Sequence, residues 1–124
     1  MPVLPAPDRP THELPGARFT TLASPLRGTT ETSVWMLELD AGAEPVPHRV
    51  TREEVFVALE GEAIATLDGV THRIRTGQTL ALPPDVQFTL AATGPTPFRA
   101  LVCLPVGGQA VVAGGDPFTP PWAR

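Results

Sequence analysis

The feature that most constrains the fold is a succession of short apolar segments separated by turn signals. No window repeats apolar residues at helical spacing over three turns, whereas segments of four to seven residues are rich in Val, Leu, Phe and Thr. Asp68-Gly69 is a two-residue hairpin signal, and Pro83-Pro84-Asp85 marks another turn. We therefore predict an all-β sandwich or barrel. Its strands are expected at residues 18–23, 33–39, 46–50, 54–60, 62–67, 70–75, 79–82, 86–91 and 98–104.

Proline and glycine concentrate at the two ends of the chain. The sequence holds 16 prolines and 11 glycines, and many lie in the first seventeen residues or after residue 104. Proline removes a backbone donor and glycine adds backbone freedom, so both disfavour regular structure. We predict three regions: a Pro-rich N-terminal arm over 1–17, a barrel over 18–106 and a Gly/Pro-rich C-terminal arm over 107–124.

The predicted strand 54–60 is apolar on both faces, because its five central residues are all apolar. A half-exposed strand would alternate with polar residues, so something is expected to cover its outer face. The candidates are a second copy of the chain or one of the Pro-rich arms, with Phe118 and Trp122 as aromatic anchors. We therefore expect a homodimer.

Residues 42–61 hold the densest set of potential ligand side chains. They resemble the first motif of the cupin superfamily, G-x5-H-x-H-x3-E-x6-G. The residues in register are Gly42, His48, Glu54 and Gly61. The later segment from Gly77 to Pro83 resembles the start of the second cupin motif, G-x5-P-x-G-x2-H-x3-N.

With the strand pattern, the resemblance covers about residues 30–105. It implies the cupin double-stranded β-helix, a jelly-roll barrel. The placement of proline and glycine adds short irregular arms at both termini. Members of the family typically hold Fe, Mn, Ni or Zn on two His of the first motif, its Glu and the His of the second motif.

This sequence departs from that ligand set at two positions. Val50 replaces the second His of the first motif, and Phe88 replaces the His of the second. A catalytic metal generally needs three protein ligands, so His48 and Glu54 alone form an incomplete set. Three interpretations stay open: a weakly bound divalent metal on these two residues, a structural His48–Glu54 hydrogen bond, or a catalytic acid–base pair without metal.

An apolar lumen is expected around His48 and Glu54. Its predicted lining residues are Trp35, Val50, Phe56, Leu82 and Phe88. Arg49, Arg52 and Arg99 lie near strand ends and are expected mainly at the solvated surface, although one of them could steer an anionic ligand. His72 is interpreted as a structural or interface histidine and His12 as a solvated one.

Composition excludes several classes of function. All nine basic residues are Arg, and the absence of Lys and Tyr excludes Schiff-base, P-loop lysine and phenolic acid–base chemistry. The single Cys103 excludes an internal disulfide and is expected to be a small buried hydrophobe. A net charge of −4 without a basic cluster is unfavourable for nucleic-acid binding. Prolines near the N-terminus and short apolar runs predict neither signal peptide nor membrane span, hence a cytoplasmic protein, and the residue bias is typical of a GC-rich bacterial genome.

We expect a small-molecule-binding cupin with a degenerate or absent metal site centred on His48 and Glu54. No cofactor is expected beyond a weakly bound divalent metal. One alternative is an isomerase or dehydratase that works without metal or depends on it weakly. The other is a non-catalytic sensing or scaffolding dimer.

Overall fold

The fold consists of eleven β-strands and two 3-10 turns. The structure is a computed structural model, and it describes residues 2–124. The strands are β1 (His12–Leu14), β2 (Ala17–Ala23), β3 (Thr32–Leu39), β4 (His48–Val50), β5 (Glu54–Glu60), β6 (Glu62–Leu67), β7 (Val70–Ile74), β8 (Thr79–Leu82), β9 (Phe88–Thr93), β10 (Phe98–Pro105) and β11 (Ala110–Val112). The 3-10 turns span Pro25–Arg27 and Pro121–Ala123. Within residues 2–124, no helix has the length and hydropathy needed to cross a bilayer.

The strands form two sheets. The six-stranded sheet has the order β1-β2-β3-β10-β5-β8, and the five-stranded sheet has the order β11-β4-β9-β6-β7. All neighbouring strands within the sheets are antiparallel. The prediction of an all-β cupin jelly roll is confirmed.

The core lies between the two sheets because side chains alternate along each strand. In β10, Phe98, Ala100, Val102 and Leu104 are fully buried, while the residues between them are half-buried on the outer face. Small alanines of β5 and β6 lie in the same core as large side chains such as Phe88. This alternation of large and small side chains lets the two inner faces interdigitate.

The hairpin between β6 and β7 has the backbone that its sequence predicts. Asp68 and Gly69 both have positive φ angles, 46° and 82°, as a two-residue hairpin loop requires. Strand β9 begins two residues later than predicted. Asp85 also has a positive φ, 61°, and its N–H donates to the carbonyl of Val50 at 2.8 Å, which keeps the chain turning before Phe88.

Two short strands lie in the terminal segments that the sequence predicts as irregular. β1 pairs with β2 and β11 pairs with β4, each over three residues at the edge of a sheet. A strand of three residues is too short to show an alternation of polar and apolar side chains. The sequence therefore does not predict these two strands.

The C-terminal segment returns to the inside of the barrel. The backbone N–H groups of Phe118 and Ala110 each donate a hydrogen bond to the carbonyl of the other residue. The hydroxyl of Thr21 donates to the carbonyl of Trp122, and that of Ser33 donates to the carbonyl of Ala123. Phe118 and Trp122 are thus tied to β11 and to the inner face of β2 and β3, contrary to the suggestion that they cover the outer face of β5. That outer face is half-buried, with Leu59 exposed, and the homodimer stays a prediction.

Candidate functional site

A cavity of about 660 Å³ lies between the two sheets. Its walls come from both sheets, from the loop before β4 and from the C-terminal segment. They are mainly apolar, and their aromatic members are Phe19, Trp35, Phe56, Phe88, Phe118 and Trp122. The ionisable residues of the lining are Glu44, His48 and Glu54. The cavity therefore combines a broad apolar surface with few polar groups.

Glu54 is the first residue of β5, and its side chain is directed inward by the strand alternation that also buries Phe56. The residue is only 5% exposed. Burial raises the pKa of its carboxyl group to about 8, because the charged form is poorly solvated there. Among residues 2–124, none donates a hydrogen bond to this carboxyl group or forms an ion pair with it. Glu54 is therefore mainly protonated at neutral pH.

His48 begins β4 and lies opposite Phe88 of β9, with the two ring centres 4.4 Å apart. Its Nδ1 lies 2.9 Å from the carbonyl of Val46. A carbonyl only accepts, so Nδ1 carries the proton and Nε2 keeps a free lone pair. Burial lowers the pKa of His48, which favours the neutral ring. The hydrogen bond of His48 thus goes to Val46, and the predicted bond to Glu54 is not among those formed by the described residues.

The donor set does not fit a resident metal ion. Within the described residues, no group of three or more His, Cys, Asp or Glu side chains is arranged to hold one. Val50 and Phe88, at two ligand positions of the cupin motif, bring no donor atoms, which leaves His48 and Glu54 as the candidate ligands. We therefore derive no chemistry through a metal.

The structure brings most of the predicted site residues together. Trp35, Phe56 and Phe88 line the cavity with His48 and Glu54. The ring of Phe88 packs edge-to-face against that of Phe56, with ring centres 6.3 Å apart. The remaining two predicted lining residues, Val50 and Leu82, lie in the packed core at 2% and 0% exposure and not on the cavity surface.

The C-terminal wall of the cavity was not predicted. The ring of Trp122 stacks on that of Phe19, with centres 3.6 Å apart and planes 5° apart. Phe118 and Pro120 extend this wall. Two large aromatic residues in a Pro-rich terminal segment do indicate that the segment packs on an apolar surface. The prediction placed Phe118 and Trp122 on the outer face of the sheet, whereas they lie at the cavity between the sheets.

The arginines and the other histidines lie away from the cavity lining. Arg99 belongs to the outer face of the six-stranded sheet, and Arg49 approaches Asp85 at 4.0 Å. His72 is exposed on β7, and His12 lies edge-on to Trp122 with ring centres 6.4 Å apart. No arginine of the described chain lines the cavity, so an anionic ligand would find no cationic partner there.

Comparisons with known proteins place the chain in a family. The sequence model of the cupin domain matches residues 35–104. A dimethylsulfoniopropionate lyase of Ruegeria pomeroyi is 42% identical over 62 residues, which are 50% of this chain and 40% of that protein. An uncharacterized protein of Methanocaldococcus jannaschii is 30% identical over 63 residues, which are 50% of each chain. The matches thus span half or less of these curated relatives.

The fold also matches solved structures. A cupin-like protein of Thermotoga maritima superimposes with a TM-score of 0.72 at 18% identity, over 80% of this chain and 77% of that one. Similarity at this identity shows a shared fold. Because the cupin domain covers more than half of the sequence and the same barrel is seen in the structure, this chain belongs to the cupin family.

Proposed function

We propose that this cupin binds a small organic molecule in the cavity between its sheets. The observation that carries the proposal is the cavity of about 660 Å³, which falls in the size range of small-molecule pockets. Its mainly apolar walls supply affinity, and the inward groups of His48 and Glu54 supply orientation.

The two polar groups have complementary hydrogen-bonding roles. The protonated carboxyl of Glu54 donates one hydrogen bond, and the free Nε2 of His48 accepts one. Glu54 is buried and His48 half-buried among mainly apolar neighbours, where an unpaired polar group is costly. A ligand that carries an acceptor and a donor would satisfy both of them.

The same pair supports a second candidate function, an enzyme that moves a proton. Isomerases and eliminating lyases require an acid and a base that act in one cavity at the same pH. The relative named as a dimethylsulfoniopropionate lyase adds support for elimination chemistry. In such a reaction Nε2 of His48 would take a proton from the carbon next to the one that carries the leaving group, and the leaving group would depart with its bonding electrons. The protonated carboxyl of Glu54 would donate a hydrogen bond to an oxygen of the ligand.

Binding can be tested with indole, a neutral apolar probe with one hydrogen-bond donor. We expect indole to shift the NMR signals of cavity residues, and we expect Ala92→Leu, which fills the cavity, to weaken binding by about tenfold. The matched control is Ala81→Leu, because Ala81 is exposed on β8 and adds the same side chain outside the cavity. Equal effects of the two variants on indole binding would contradict binding in this cavity.

The enzymatic candidate is tested with dimethylsulfoniopropionate itself, by measuring dimethyl sulfide in the headspace. Turnover that is lost in both His48→Gln and Glu54→Gln, and kept in His72→Gln, would support proton transfer by the pair. Turnover that survives both cavity variants would show that the pair does not carry the reaction.

A further inference from the structure

The ionisable side chains that line the cavity are two glutamates and one histidine, with no arginine. Two carboxyl groups belong to the lining, Glu44 near its exposed rim and Glu54 inside it. The arginines of the described chain all lie outside the lining, and the protonated nitrogen of His48 is directed to the carbonyl of Val46. The lining residues therefore include acidic side chains and no arginine.

Glu54 is an acid without a partner in the protein. It is 5% exposed, faces the cavity and receives no hydrogen bond from any residue of the 2–124 range. Buried acids are normally paired with an arginine or with backbone donors, because an isolated one is costly. A ligand that enters the cavity can supply the partner that the protein does not.

The aromatic walls favour the same kind of occupant. Trp35, Phe56 and Phe88 line the same cavity as Glu54, and the stacked pair of Phe19 and Trp122 forms part of its wall. Faces of aromatic rings carry negative electrostatic potential and attract cations, most strongly where water is excluded. A cation held near Glu54 favours the ionised form of its carboxyl group, and aromatic rings together with one carboxylate form an arrangement that recognises alkylated cations.

We propose that the natural ligand of this cavity is a small organic cation, an alkylammonium or sulfonium compound, whose charged centre lies beside Glu54 among the aromatic rings. This inference rests on the proposed small-molecule-binding function and specifies its ligand class. The cation takes the place of the positive charge that the protein does not provide. Its alkyl groups contact the apolar walls.

Other ligand classes fit the cavity less well. An inorganic metal ion would find two donor residues and would leave most of the 660 Å³ and its apolar walls unused. An anion would meet two carboxyl groups and no arginine. A neutral apolar molecule would fill the space and leave Glu54 unpaired.

The test compares choline with its uncharged carbon isostere, in which a quaternary carbon replaces the nitrogen. Both have the same shape, so their difference in affinity isolates the charge. We expect choline to bind at least about tenfold tighter to the wild-type protein at pH 8, measured by calorimetry or NMR titration. Glu54→Gln keeps the shape of the side chain and is expected to bring the two affinities within about twofold of each other.

The matched control is Glu60→Gln, because Glu60 lies at the other end of the same strand and points to solvent. This variant should keep the wild-type preference for choline. Equal binding of choline and its isostere to the wild-type protein would overturn the ligand class, as would a preference that survives Glu54→Gln. Displacement of choline by equimolar zinc chloride would also overturn it in favour of a metal site.

The outcome separates this inference from the function on which it rests. If indole and the uncharged isostere bind in the cavity but choline does not bind more tightly, small-molecule binding stands and the organic cation is wrong. If neither choline, nor its isostere, nor indole binds, the proposed function itself fails.

Discussion

The carboxyl groups on the two faces of the six-stranded sheet differ in their partners: those on the outer face are paired with arginines, and the one on the inner face is not. On the outer face, Arg18 donates to Glu38 at 2.7 Å and to Asp40 at 2.6 Å. Arg99 continues this ladder between Glu38 at 3.5 Å and Glu60 at 2.9 Å. On the inner face, Glu54 has no such partner, although it lies on the same strand as Glu60.

The difference appears in the acidity of the groups. The Arg18 guanidinium holds the pKa of the Asp40 carboxyl below its usual value, whereas burial raises the pKa of Glu54 to about 8. Outer pairs are partly exposed and add little stability, while an unpaired buried acid costs stability outright. An unpaired buried acid that no structural contact requires supports the proposed role of Glu54 in ligand recognition.

The largest expected effect comes from removing part of the C-terminal wall of the cavity that Glu54 lines. Trp122→Ala removes the ring stacked on Phe19 and should lower the free energy of unfolding by about 2–3 kcal/mol. The cavity becomes more open to water, so the pKa of Glu54 should fall towards its ordinary range. Denaturant unfolding measures the first change, and NMR titration of the Glu54 carboxyl measures the second.

Leu26→Ala is the control for Trp122→Ala, because Leu26 is 84% exposed and its truncation should change neither quantity. If Trp122→Ala destabilised the protein but left the pKa of Glu54 raised, the C-terminal wall would not be what excludes water. The contrast between the inner and outer acids would then depend on the sheets alone.

The next effect is on the pH dependence of stability, and its sign follows from the raised pKa of Glu54. Between its unfolded value of 4.5 and its folded value of about 8, the folded protein holds a proton that the unfolded chain has lost. Stability therefore falls as the pH rises through this window. Glu54→Gln cannot ionise, so it should be more stable than wild type by about 1–3 kcal/mol at pH 8 and nearly equal to it at pH 4.

The measurement is the difference between the unfolding free energies of wild type and variant across this pH range. Glu60→Gln, with its carboxyl on the outer face, should give a flat difference curve. A flat curve for Glu54→Gln as well would mean that the Glu54 carboxyl is solvated like the outer acids. It would contradict the proposed difference between the inner and outer carboxyl groups.

Much of this fold could be predicted from the sequence, because its determinants are local. Alternation, the Asp68-Gly69 hairpin and the cupin-like motif identify the barrel and nine of the eleven strands in residues 2–124. The edge strands β1 and β11 were missed because backbone pairing at a sheet edge needs no particular side chains.

The candidate site was predictable only in part, since it depends on contacts between distant segments. The motif pointed to His48 and Glu54, and strand alternation directs Phe56 and Phe88 inward. The sequence pattern does not distinguish residues of the cavity wall from residues of the packed core, where Val50 and Leu82 lie. It also could not show that Trp122 returns to Phe19, about a hundred residues earlier in the chain.

The smallest expected effect is on the outer face. Arg18→Gln breaks the bonds to Glu38 and Asp40, and the pKa of Asp40 should rise towards its usual value because its cationic partner is lost. Stability should fall by less than in Trp122→Ala, and the loss should shrink as salt is added, since exposed pairs are screened. Thermal unfolding at low and high salt checks this, with Arg73→Gln, an exposed arginine outside the ladder, as control. A large, salt-insensitive loss would mean that the outer carboxylates are held as strongly as a buried network, and that pairing, not exposure, separates them from Glu54.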